Sequence, residues 1–243
     1  EVLMNLKKTG ILYGKDLNDF MKNPGISVAA LIPVLFVVLY RSIGLADAMG
    51  DYASYFLLNI GTVMSIAMVA LLLVSTSVAE EKEKFTLRTL MMSNVRASEF
   101  LLSKILVTLT VLLICNTLIF ILSGSALSAL PFYLLCCTLG SASLIMFSAC
   151  IGIMARDQMS TSIYQIPIML LVMLPAMLSE FNSFIGTLAS LTPIAAMMNL
   201  FGNFQAGQLA SAASLQALAV MLVWIAVPSL LFAWLYRRKG IDN

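Results

Sequence analysis

The chain contains no histidine. That absence removes His-based general acid/base catalysis, Ser-His-Asp triads, HExxH zinc sites and haem ligation together. Charge is scarce too: 11% of the 243 residues are charged and 60% are hydrophobic, with a mean hydropathy of +0.98. A soluble domain is about half apolar and a quarter charged, so an ordinary soluble enzyme is excluded. The net charge of +2 is small and the basic residues fall in separated clusters, which argues against a nucleic-acid partner. Cys115, Cys136, Cys137 and Cys150 lie inside apolar runs, with neither CxxC spacing nor flanking charge, and read as packing residues rather than a metal or redox site. A phosphate-binding loop is missing as well. The nearest candidate, Gly10 to Asp16, has one residue too few between its glycines and an aspartate where Ser or Thr should follow the lysine. Nothing at the front reads as a cleavable signal, because a lysine-rich amphipathic stretch precedes the first apolar run.

What the chain does have is six uncharged apolar stretches, at 25–40, 55–78, 105–122, 130–154, 161–179 and 215–236. In a bilayer every backbone polar group must be paired within its own segment, and about 20 residues of helix span the hydrocarbon. The stretches therefore predict six transmembrane helices. The first is short, and the fifth carries Pro167 and Pro175, so these two are expected to be kinked or shifted in depth. Lys7, Lys8, Lys15 and Lys22 precede the first crossing; Lys82, Lys84, Arg88, Arg96 and Lys104 fall in the second connection; Arg156 follows the fourth crossing, and Arg237, Arg238 and Lys239 follow the last. With six crossings all of these lie on one side and Arg41 alone on the other. The positive-inside rule then makes both termini cytoplasmic.

Between these stretches three segments carry information. Residues 1–22 place Leu3, Leu6, Gly10, Tyr13, Leu17 and Phe20 on one stripe, with Lys8, Lys15, Asp16, Asn18 and Lys22 opposite. This predicts a helix lying in the cytoplasmic headgroup region, broken by Asn23-Pro24-Gly25; a helix packed on protein is the alternative. Residues 180–214 contain no Lys or Arg and are too apolar for an open loop. They predict two short helices, interrupted at Thr192-Pro193, that dip into the outer leaflet and return, since each half is too short to span. Residues 79–104 form the longest charged connection. Glu80, Glu81 and Glu83 stand where they would complement the N-terminus of a helix running from Thr86 to Met92, on which Leu87, Leu90 and Met91 share a face and Arg88 lies elsewhere. Ser93-Asn94 predicts its stop and Ser98-Glu99 the start of the helix that re-enters the membrane at Lys104.

This last segment resembles the cytoplasmic coupling loop of ABC-2 type transporter permeases, whose pattern runs roughly E-x-x-x-G-T-L-x-x-L-x-x-[ST]-P-[VI]-x-x-x-E-x-L-x-x-K. Glu81, Thr86, Leu87, Leu90, Ser93, Val95, Glu99, Leu101 and Lys104 match it, while Phe85 replaces the glycine and Asn94 the proline. The front helix, the six crossings and the helical pair before the sixth extend the resemblance over the whole chain. It implies an all-α integral membrane protein, a single permease domain of an exporter in a bacterial cell membrane. It implies further that ATP and magnesium bind to separate nucleotide-binding subunits, that a second permease chain, identical or different, completes the path, and that helices one, two and five line it. Glu81, Glu83, Thr86, Leu87, Arg88, Leu90 and Met91 are the residues expected to couple to the nucleotide-binding subunit.

Candidate path residues are Asn59, Thr62 and Ser65, spaced by three in the second crossing, with Tyr164 and Gln165 in the fifth. Polar groups in a membrane either bond between helices or mark a pathway, and both roles stay open here. No helix centre carries a charge, which disfavours a dedicated small-ion path and suits a hydrophobic or amphipathic cargo such as a drug, a bacteriocin-like peptide or a lipid-like molecule. Met154, Met159, Met169, Met173 and Met177 cluster around the fourth and fifth crossings, as packing or as the lining of an adaptable cavity. Ser148 and Gly152 would let helices approach closely. A passive scaffold or channel and a sodium-extruding permease are the competing functions; an intramembrane enzyme built on Glu80-Glu81 fails for want of histidine.

Overall fold

The computed structural model describes residues 6–44, 49–86, 90, 92, 95–179 and 182–239. The described residues are all-α. Their helices are α1 (Leu6–Lys22), α2 (Pro24–Ser42), α3 (Ala53–Glu83), α4 (Ala97–Ser123), α5 (Leu130–Met154), α6 (Gln158–Leu178), α7 (Ser183–Ser190), α8 (Pro193–Gln205) and α9 (Ala212–Lys239), with 3₁₀ turns at Gly50–Tyr52 and Leu127–Ala129. Six of them, α2, α3, α4, α5, α6 and α9, are long and apolar enough to cross a membrane. The short helices α7 and α8 meet at 93°.

Helix ends follow local chemistry. Asn23 is extended and its side chain accepts the Ile26 N–H, which starts α2 with Pro24 in the first turn, where a missing N–H costs nothing. Asp157 accepts the Ser160 N–H at 2.7 Å to start α6, and Thr192 accepts the Ala195 N–H to start α8 with Pro193 at its head. Two helices run past the uncharged stretches that announced them. α3 continues to Glu83 rather than stopping at residue 78, and α4 begins at Ala97, ahead of its apolar stretch and next to the start expected at Ser98-Glu99. Lys and Glu are good helix formers, and backbone hydrogen bonding does not stop where the lipid does. A second correction concerns the acidic residues. Glu80, Glu81 and Glu83 form the C-terminal end of α3 and not the entry to the following segment.

The core sits around α3. Of its most apolar window 78% is buried, against 22% for α2, 22% for α6 and 17% for α9. α2, α4, α5 and α6 pack on α3, while α8 and α9 pack on α5. Two glycines permit this density. A Cβ on Gly61 would lie 2.6 Å from Val37 and 2.7 Å from Ile119; one on Gly152 would lie 2.8 Å from Val78. Gly152 and Ser148 thus both face α3, as their spacing suggests. The α7–α8 bend is held by the Trp224 indole, which donates to the Leu191 carbonyl at 2.7 Å, and by Phe204 stacked on Phe132 at 4.1 Å.

Candidate coupling site and polar helix contacts

At the charged end of the bundle α1 lies along α4. Its buried stripe is Thr9, Leu12 and Asp16, flanked by Tyr13, Leu17 and Phe20. Asp16 therefore faces the protein and not the polar side expected for it. The reason is Lys104. Its ammonium donates to Asp16 Oδ1 at 3.0 Å, to Ser77 Oγ at 2.8 Å and to Glu81 Oε1 at 3.2 Å, using all three of its protons. Ser103 donates to the other Asp16 oxygen at 2.6 Å, Lys15 donates to Glu81 Oε1 at 2.7 Å, and Thr86 donates to Glu81 Oε2 at 3.2 Å. Only 2% of the Lys104 side chain, 5% of Asp16 and 9% of Glu81 is exposed. Charges so buried survive only when their hydrogen-bonding capacity is filled, which this cluster achieves across α1, α3 and α4. Burial works against the Lys15 ammonium, but its bond to Glu81 and the surrounding carboxylates outweigh that and raise its pKa above the ordinary lysine value. The pair accordingly stays charged through neutral pH.

The next two residues of α3 point to different neighbours. Lys82 donates to the carbonyls of Ile153 and Ala155 at 2.8 and 2.7 Å, at the C-terminal end of α5. Glu83 accepts the backbone N–H of Gln158, the first residue of α6, at 3.0 Å. Beyond them Phe85 and Met92 are each 81% exposed, Thr86 is exposed and Leu90 is half-buried against the core. Thr86, Leu90 and Met92 have helical backbone, and the Val95 N–H returns to the Leu90 carbonyl. Leu87, Arg88, Met91 and the expected stop at Ser93-Asn94 lie outside the described residues.

Deeper in the bundle the polar residues bond between helices. Thr62 meets the Tyr133 hydroxyl at 2.6 Å, and Tyr133 donates to Asn116 at 3.2 Å, joining α3, α5 and α4. Ser148 accepts the Ser75 N–H at 2.8 Å and donates to the Leu71 carbonyl at 2.6 Å, so that an α5 hydroxyl inserts beside a backbone turn of α3. Gln165 of α6 donates to the Ser75 hydroxyl of the same turn.

A family model described as ABC-2 family transporter protein matches residues 15–235. The chain belongs to the ABC-2 transporter family. No curated protein matches it. As a member of this family the chain is a multi-pass transport subunit of the membrane, and the sites on it are read as those of an ABC-2 permease.

In this permease the residues singled out from sequence separate into two groups. At the charged end Glu81 and Thr86 are bonded to each other, Glu83 turns to Gln158 and Leu90 packs on the core, but Glu81 is turned inward and spends its carboxylate on Lys15, Lys104 and Thr86. Thr62 and Ser65 are fully buried, Tyr164 is 39% exposed, and Gln165 is tied to α3. Ser65 Oγ has no hydrogen-bond partner among the described residues. Asn59 lines a cavity of about 310 Å³, with Met49, Tyr52, Phe56 and Met177, at the far end of α3. The sequence reading missed Asp16, Ser77, Ser103, Tyr133 and Asn116 as partners, and the inward roles of Lys82 and Glu83. One signal was present. Thr9, Leu12 and Asp16 are spaced by three and four, a second stripe beside the one drawn through Tyr13 and Leu17.

Proposed function

We propose that the chain is the membrane-spanning subunit of an ATP-binding-cassette exporter. With a second permease chain, of the same or another sequence, it forms a path for a hydrophobic or amphipathic cargo, and separate nucleotide-binding subunits hydrolyse ATP. The observation that carries this reading is the charged end: two aromatic and thioether side chains, Phe85 and Met92, stand exposed on a segment whose base is anchored to α1, α4, α5 and α6. Large apolar side chains left exposed beside charged ones suit a docking surface for protein. In this reading Thr86, Leu87, Arg88, Leu90 and Met91 meet the motor, both termini are cytoplasmic, and α7 and α8 dip into the outer leaflet. ATP-driven closure of the motors rocks the two bundles and biases a two-state equilibrium. The Asn59 cavity, apolar with a single amide, supports an amphipathic cargo.

Purification of the chain with the ATPase it assembles with, followed by Leu90→Asp, tests the proposal. ATP-dependent movement of a fluorescent amphiphile across vesicles should fall by about tenfold or more, as a loss of 1.4 kcal/mol or more of coupling demands. A chain that purifies with no ATPase and moves no cargo in response to ATP would return the function to a passive scaffold or channel.

A further inference from the structure

Only 22% of the most apolar window of α6 is buried, the same share as in α2, yet its lower half is tied to α3 at two places. At its first residue the Gln158 N–H rests on the Glu83 carboxylate; one and a half to two turns higher, Gln165 reaches the Ser75 hydroxyl. On the antiparallel α3 these partners are about 12 Å apart at 1.5 Å per residue. Lys82, the residue before Glu83, closes the C-terminal carbonyls of α5 at Ile153 and Ala155. A cation at one helix C-terminus and an anion at the next helix N-terminus each meet the favourable end of a helix dipole. The last turn of α3 thus grips the α5–α6 turn from both sides. Above Gln165 apolar packing takes over from hydrogen bonds, with Val172 and Ala176 buried in the core, and Pro167, lacking the N–H that would bond the Ile163 carbonyl, leaves α6 a place to bend.

The geometry points to Lys82 and Glu83 as positioning residues that make the lower half of α6 follow the coupling segment as one body with α3, with bending of α6 confined to Pro167 and above. Glu83, although exposed, then acts within the chain as a hydrogen-bond acceptor and not as a charge presented to the motor. The inference rests on the exporter reading for its consequence in transport, but the grip itself is independent of it.

Glu83→Gln keeps an acceptor oxygen and removes the charge; Glu83→Ala removes both. In the intact permease–ATPase complex, hydrogen exchange in the first turn of α6 should quicken about tenfold in Glu83→Ala and stay near the native rate in Glu83→Gln, since that amide loses its partner only in the first. Cargo moved per ATP should drop at least about fivefold in Glu83→Ala, the low end of ordinary coupling energies, with the ATPase still bound, and be restored in Glu83→Gln. Lys82→Met should lower the same ratio and Lys82→Arg should restore it. If both Glu83 variants lose coupling equally while exchange at α6 stays native, Glu83 works by its charge on the motor and the inference is overturned. If exchange behaves as expected but no variant, native chain included, shows ATP-dependent transport, the exporter reading fails and the grip stands.

Discussion

Phe85 is the one non-glycine residue with a positive φ among the described residues, at +57°. It occupies the position where the family pattern it resembles carries glycine. A left-handed backbone costs an L-residue about 1–2 kcal/mol, so Phe85→Gly should raise the thermal unfolding temperature of the permease. The same change deletes an exposed aromatic from the docking segment and should lower transport, and the two opposite signs, read by melting and by vesicle uptake, separate backbone strain from contact. Lys104→Met carries the contrary expectation. Its removal leaves Asp16 and Glu81 buried with Lys15 and neutral donors only, which should destabilise by about 3–5 kcal/mol, and Asp16→Asn in the same chain should recover part of it. Melting of the single and double variants in detergent checks both. Lys104 and Glu81 were legible as matches to a pattern, but their meeting was not. Asp16, buried by a lysine eighty-eight residues away, looks, in one helix read alone, like any solvated charge on a polar face.

At the scale of the element, the six apolar stretches correspond to the six helices long and apolar enough to cross a membrane, because a helix in lipid has no alternative partner for its backbone. Helix ends were not legible by the same rule. Charge marks where the lipid ends, whereas α3 stops five residues later, in the turn at Lys84 and Phe85, and α4 begins at Ala97, capped by Arg96, whose N–H returns to Glu99. The close approach of α2, α3 and α4 is tested at Gly61. A methyl there meets Val37 and Ile119, both fully buried and with nowhere to move. Gly61→Ala should cost about 1–3 kcal/mol by overpacking. Gly14, with no atom within 4 Å of its would-be Cβ, is the matching control. Gly14→Ala should stabilise α1 by up to about 1 kcal/mol through helix propensity alone. Opposite shifts in melting for one and the same substitution would show that crowding, not the residue type, decides.

The whole molecule distributes its burial unevenly, and the unevenness has a consequence for assembly. α3 is enclosed, while α2, α6 and α9 each leave most of their apolar surface outside. Lipid can cover such surface, since hydrocarbon is as apolar as leucine, so exposure by itself does not mark a seam. What distinguishes α2 and α6 from α9 is position: both pack on α3, whose far end opens into the cavity at Asn59, whereas α9 packs against α5 and α8. A second permease chain that completes a path past Asn59 has to cover α2 and α6 and leave α9 to lipid. The four native cysteines are free and buried, so a single introduced cysteine supplies the only exposed thiol of the chain. Ile163 on α6 and Leu230 on α9 are 71% and 72% exposed, a matched pair. In native membranes Ile163→Cys should cross-link to a partner permease chain under mild oxidation, whereas Leu230→Cys should stay monomeric on a gel and react with a lipid-soluble maleimide. Cross-linking through Leu230→Cys alone would move the seam to α9 and take the path away from Asn59.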